Sequence, residues 1–187
     1  MARPDRSLAL TRAHRAYERA HVASALRGIA IAAAVTLLAI GLHRTDDLTW
    51  LFAGSLAITL GVLGWRGGSW RRGAFAGVLA GLPPLIVPAI VFSLGHGGHC
   101  ASCAQTPTWG CLLACFGTSS LLGMMVGHRA TADASPMRFA LAAIGAAALT
   151  GLLNCGTTGL GGAIGVVAGL VAGGVTGWVV AARTAHV

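Results

Sequence analysis

Six long apolar stretches dominate the chain, at about 24–43, 48–65, 74–95, 109–127, 137–155 and 159–182, with arginine confined to their edges and the connections between them. Each approaches the roughly 20 residues that a helix needs to cross a hydrocarbon core about 30 Å thick. Backbone amides inside a bilayer must be paired within their own segment, so such stretches are expected to be helices. The first two are joined only by His43-Arg44-Thr45-Asp46-Asp47, which predicts a hairpin. Charged residues make up 10% of the 187 residues and mean hydropathy is +0.75. A typical soluble domain carries about 25% charged residues. This composition excludes a soluble enzyme, a disordered tail and a coiled coil. The expected fold is an all-α integral membrane protein, a bundle of six transmembrane helices, with no room for a separate soluble catalytic domain and no enzymatic role.

The charge pattern sets an expected orientation. All 13 basic side chains are arginine, and the net charge is +8. Arg3, Arg6, Arg12, Arg15, Arg19 and Arg27 precede or begin the first span; Arg66, Arg71 and Arg72 join spans two and three. Arg129 and Arg138 flank the connection between spans four and five, and Arg183 closes the sixth. Only Arg44 falls on the opposite side, beside Asp46 and Asp47. Positive charge stays in the cytoplasm, so both termini are expected there. A cleaved signal peptide over residues 1–43 would leave five spans and invert the loop charges, so that stretch is expected to be a true span. The arginines are divided among the loops and not gathered on one polar face, which argues against direct nucleic-acid binding despite the high pI.

This topology collects all five cysteines at the outer surface. Cys100 and Cys103 lie with His96 and His99 in an outer loop at 96–108, Cys111 and Cys115 lie four residues apart at the start of the fourth span, and Cys155 follows Asn154 at the end of the fifth. Three readings stay open. Structural disulfides can form on an oxidising face, and an odd count leaves one thiol over. A Cys-x-x-Cys pair can exchange disulfides, as in an oxidant sensor. The set His96, His99, Cys100 and Cys103 offers two imidazoles and two thiols to a thiophilic ion such as Zn, Cu or Hg, with Cys111 or Cys155 as a further ligand.

No span carries Asp, Glu, Lys or Arg at its middle, which argues against a proton-driven pump. The hydroxyls of Thr118-Ser119-Ser120 are expected in helix–helix packing and not along a path. Gly161, Gly165, Gly169, Gly173 and Gly177 recur every fourth residue in the sixth span, and Gly73, Gly77 and Gly81 repeat the spacing in the third. Such stripes let helices approach closely, within one bundle or, in the second reading, between two copies in a homodimer. Pro83, Pro84 and Pro88 are expected to kink or break the third span. The N-terminal segment, 1–23, reads over residues 5–22 as a basic helix lying on anionic lipid. Alternatively it docks a partner groove through Leu8, Leu10 and Tyr17, with Arg12 beside them.

Trp109-Gly110-Cys111-Leu112-Leu113, the turn His128-Arg129, an Ala/Gly-rich fifth span ending in Asn154-Cys155, and a Gly-rich last span ending at Arg183 together resemble the NrsF-type polytopic anti-sigma proteins, whose general plan CarR-type proteins share. In that family one cysteine opens the fourth span and a second, usually in a His-Cys pair, closes the fifth; Cys111 and Cys155 fall at those places. Asn154 stands where the histidine would be, the interval between the cysteines is shorter, and His96 to Cys103 is an addition. The resemblance implies a negative regulator of transcription in a bacterial inner membrane, whose N-terminal segment, with the connections Arg66–Arg72 and Arg129–Arg138, would sequester an ECF-type sigma factor at the cytoplasmic side. Outer cysteines sensing oxidant or metal would release it. The rival reading is a membrane protein that binds or transports a thiophilic metal ion. A quinone-linked thiol oxidase is a third, and its usual four-cysteine spacing is not found here.

Overall fold

A computed structural model describes residues 6–42, 47–94, 109–155 and 160–184. These form six helices: α1 (Arg6–Leu42), α2 (Asp47–Arg66), α3 (Gly68–Leu94), α4 (Trp109–Thr131), α5 (Pro136–Cys155) and α6 (Leu160–Thr184). The protein is all-helical among the described residues. Four helices, α1, α2, α5 and α6, are long and apolar enough there to cross a membrane. Their surroundings agree with a lipid solvent: Leu37, Leu51, Ile58, Leu79, Leu121, Leu141 and Val175 all face outward, so every helix presents large apolar side chains. Exposed apolar patches on a water-soluble monomer rarely exceed a few hundred Å². Trp50 and Trp65 lie exposed near opposite ends of α2, about 22 Å apart along the axis at 1.5 Å per residue.

Local chemistry sets several helix ends. Asp47 lies in the first turn of α2 and Arg66 in its last, each complementing the helix dipole. Gly67 and Gly68 follow at φ 66° and 54°, a left-handed conformation that favours glycine because other residues carry a Cβ. The Gly67 amide closes on the Leu63 carbonyl at 3.2 Å. Helix α3 therefore begins at Gly68 and takes in Trp70, Arg71 and Arg72, which the sequence reading had left in a loop before position 74. At the start of α5, Pro136 occupies the first helical position, where its missing N–H removes no helical bond. The Phe139 amide reaches the Ser135 carbonyl at 3.1 Å.

The basic N-terminal helix and the first span form one uninterrupted helix of 37 residues; at 1.5 Å per residue it is about 55 Å long. Helix α3 also runs unbroken through Pro83, Pro84 and Pro88, so the prolines do not end it.

The helices pack as three tight pairs, α1 with α2, α3 with α5, and α4 with α6. Glycine makes each pair tight. A Cβ placed on Gly165, Gly169, Gly173 or Gly177 would lie 3.2, 2.6, 1.9 or 2.1 Å from the carbonyl oxygens of Leu112, Phe116, Ser120 and Met124, a ladder with a four-residue step on both helices. From the other side, Gly123 and Gly127 meet the Leu170 and Gly174 carbonyls. Gly73 and Gly77 do the same to Phe139 and Ala143 across α3 and α5, and Gly28 to Leu60 across α1 and α2. Cα–H to carbonyl contacts of this kind recur where helices touch. The stripe on α6 is thus covered by α4 within one chain; Gly161, half-buried, lies one turn before this run of contacts. It does not offer a second copy a free face, and the homodimer reading through it is set aside.

The α3–α5 pair lies in the middle. One core joins Ala32, Leu56 and Leu60 of α1 and α2 to Val78, Leu85 and Ala146. The other joins Ala80, Ala143 and Ala147 to Val126, Val166 and Leu170 of α4 and α6. Two threonine hydroxyls within the bundle return to their own helix, Thr36 donating to the Ala32 carbonyl and Thr150 to that of Ala146, both at 2.8 Å, whereas the buried hydroxyls of Ser24 and Ser119 have no partner among the described residues. Ser119 is fully buried, its Cβ against the stripe at Gly169, which places this group in packing as expected.

Candidate functional site

Two regions bear on function, one at each end of the bundle. At the cysteine end, His96, His99, Cys100 and Cys103 lie outside the described residues. Cys111 belongs to the first turn of α4 and Cys155 is the last residue of α5; their side-chain surroundings also lie outside. Because α4 runs away from this end and α5 returns to it, the backbone brings both positions to the same end of the bundle. Cys115 is 4% exposed, packed in the α4–α6 core, with its Cβ 3.4 Å from the place a Cβ on Gly165 would take. That position suits a small apolar side chain. Among the described residues no group of three or more His, Cys, Asp or Glu gathers as metal ligands do.

The arginine end is built in more detail. Residues 10–20 of α1 are all exposed, among them the expected docking residues Leu10, Arg12 and Tyr17. Leu8 lies on the same helix, its side chain outside the described residues. One turn on, Tyr17 lies against His21 with ring centres 4.2 Å apart, and His21 against Trp65 at 5.8 Å. The Nδ1–H of His21 donates to the Trp65 carbonyl, one of the last carbonyls of α2, which has no helical donor of its own. The exposed half of α1 is thereby tied to the end of α2. A second tie joins α3 to the turn before α5. Arg72 Nε donates to Oδ2 of Asp133 at 2.9 Å, and the Ser135 amide donates to Oδ1 at 3.0 Å. The Arg72 hydrogen bond, with smaller help from Ser69 and Ser135, lowers the Asp133 pKa to about 2. Arg66 lies over the Trp70 ring at 5.4 Å.

Between α1, α2 and α3 at this end lies a cleft of about 370 Å³, walled by Ser24, Arg27, Arg71 and Arg72 above Ile31, Leu60 and Val78. Sequence reasoning assigned these arginines to topology and, for the connection that holds Arg71 and Arg72, to the surface that would hold a sigma factor. His21, Trp65, Ser24 and Asp133 were not singled out at all. Two signals were available: the i, i+4 spacing of Tyr17 and His21, and a lone acid, Asp133, in a connection flanked by Arg129 and Arg138.

In comparison with known proteins, no protein family, no curated protein and no solved structure matches this chain.

Proposed function

We propose that the chain is a six-span protein of the bacterial inner membrane, with both termini in the cytoplasm, that holds a soluble ECF-type sigma factor on the exposed half of α1 and so acts as an anti-sigma factor. The supporting observation is that half-helix: residues 10–20 are exposed throughout yet continuous with the first span and tied at His21 to the end of α2. A helix already formed and fixed to the bundle loses little entropy on binding. Leu10 and Tyr17, 71% and 62% exposed, supply apolar anchors, and Arg12, Arg15 and Arg19 supply charge for an acidic partner. The resemblance at Cys111 and Cys155 provides the sensing end, where oxidant or a thiophilic metal would favour the state that releases the partner. Release requires the signal to bind the two states with different affinity.

The test is capture from cytoplasmic extract of the source cell. The full-length protein should retain a sigma factor, and Leu10→Asp with Tyr17→Ala should lose it while keeping the same melting temperature in detergent. Retention of no sigma factor by the full-length protein overturns the proposal. Cys111→Ser and Cys155→Ser should then fix the output on or off; normal responses of both variants to metal and peroxide refute the cysteine part alone.

A further inference from the structure

The cleft between α1, α2 and α3 combines three features whose alignment anti-sigma activity does not require. Three arginines, Arg27, Arg71 and Arg72, line it, with no acidic residue. Asp133 engages Arg72, but among the described residues Arg27 and Arg71 enter no ion pair. Its floor is apolar, with Phe75, 54% exposed, also lining it. Ser24, more than nine-tenths buried, also lines it, and its hydroxyl has no hydrogen-bond partner in the protein. A buried hydroxyl left unpaired is costly, and a ligand oxygen would remove that cost. The cleft falls within the range of small-molecule pockets, about 300–1,000 Å³.

We propose that this cleft binds the phosphate headgroup of an anionic membrane lipid, with Arg27 and Arg71 on the phosphate, Ser24 donating to one of its oxygens, and the acyl chains leaving past Phe75. Basic pockets between transmembrane helices at the cytoplasmic side suit acidic headgroups. Guanidinium groups match phosphate geometry better than a point charge does. The apolar floor favours a lipid over a free anion. The site rests on the membrane setting and is independent of sigma-factor binding, so either proposal can fail alone.

The experiment is native mass spectrometry of the purified full-length chain in detergent, titrated with phosphatidylglycerol and with phosphatidylcholine of the same chain length. Phosphatidylglycerol should bind at least tenfold more tightly. Arg27→Gln with Arg71→Gln should weaken it about twenty-five-fold, at about fivefold for each basic residue near the headgroup, and weaken phosphatidylcholine much less, because its choline cation already offsets the phosphate charge. Arg138→Gln with Arg183→Gln, at the same end of the bundle but outside the cleft, should have no such effect; an equal loss there means diffuse surface attraction and overturns the site. Ser24→Ala should leave the lipid-free melting temperature unchanged or raised and shrink the shift that phosphatidylglycerol produces. That readout holds even where the double arginine variant fails to fold; an undiminished shift overturns the site. Displacement of the lipid by an equal concentration of inorganic phosphate would assign the cleft to a free anion and overturn the lipid proposal.

Discussion

Replacing Gly173 by alanine puts the bundle's packing under direct test. The added Cβ would lie 1.9 Å from the Ser120 carbonyl oxygen, with the Ser120 Cα at 2.9 Å. Carbon-to-oxygen contacts of this type settle at about 3.3–3.6 Å, so α6 must retreat from α4 by more than an ångström. That retreat also opens the steps at Gly169 and Gly177. At roughly 0.5–1 kcal/mol for each Cα–H contact, losing three costs about 1.5–3 kcal/mol. Dispersion adds to the loss, since a radial gap of about 0.5–1 Å forfeits a quarter to a half of each well. Alanine's helix propensity returns at most about 1 kcal/mol, which leaves a net destabilisation of about 2 kcal/mol. The control is Gly54→Ala on α2, where a Cβ meets nothing within 4 Å; it should be neutral or slightly stabilising. The assay is reversible unfolding in mixed micelles. Additivity sharpens it: once Gly173→Ala has separated the pair, Gly177→Ala should add little. Gly77→Ala acts on the α3–α5 pair and should add nearly in full. Equal stability of the Gly173 and Gly54 variants, or simple addition of Gly173 and Gly177, would refute the ladder.

Three further outcomes are expected. Gly67→Ala places a Cβ at φ 66° and should cost about 1–2 kcal/mol in the same unfolding assay, although the nearest atom, His21 Cε1, is a comfortable 3.8 Å away. His21→Phe keeps the ring but removes the donor to Trp65; a net loss of about 1 kcal/mol should appear as faster amide exchange across residues 10–22. The folded Asp133 pKa is depressed from 3.8 to about 2, so its stabilising tie to Arg72 is complete above the unfolded value and lost as pH falls through the folded one. Melting temperatures of the protein and of Asp133→Asn should therefore differ at pH 6 and converge as pH falls from 4 toward 2.

Sequence periodicity revealed that helices would form and that Gly165, Gly169, Gly173 and Gly177 would face a neighbour. It did not reveal which neighbour. A small-residue stripe specifies close approach, and many partners with matching small residues satisfy it; here Gly123 and Gly127 on α4 are what select α6. The reading of Thr118, Ser119 and Thr150 as packing residues followed from their type: Thr118 and Thr150 bond back to the backbone, as hydroxyls within apolar helices do, while Ser119 packs with its hydroxyl unpaired. Over α1, composition shifts from basic to apolar at residue 23, and that shift alone does not say whether one helix or two cover the stretch. A helix is continued by its backbone and not by its polarity, and nothing from Arg6 to Arg27 breaks it. The ties at His21 and Asp133 were illegible for a different reason. Each joins positions far apart in sequence, 44 residues for His21 and Trp65, 61 for Arg72 and Asp133, and one sequence carries no record of such pairings.

The paired construction bears on how the proposed signal would travel. Helices locked by glycine onto each other's carbonyls resist small displacements, because a shift along the ladder drives Cα against oxygen. Each pair then moves as a unit, and relative motion falls to the interfaces between pairs, where side chains such as Val126, Leu170 and Ala147 meet. A change at Cys111 would carry α6 along with α4, and one at Cys155 would carry α3 along with α5. The two cysteines therefore belong to different rigid pairs, so a disulfide or shared metal between them would fix the relation of one pair to the other. The α3–α5 pair holds Arg71, Arg72 and the turn of Asp133 near the arginine-rich base of α1. Weakening the α4–α6 ladder with Gly173→Ala should accordingly reduce the response of sigma-factor release to a signal at Cys111 more than it reduces sigma-factor binding itself. Capture assays with and without peroxide would separate the two effects, and equal losses in both would argue that the pairs do not act as units.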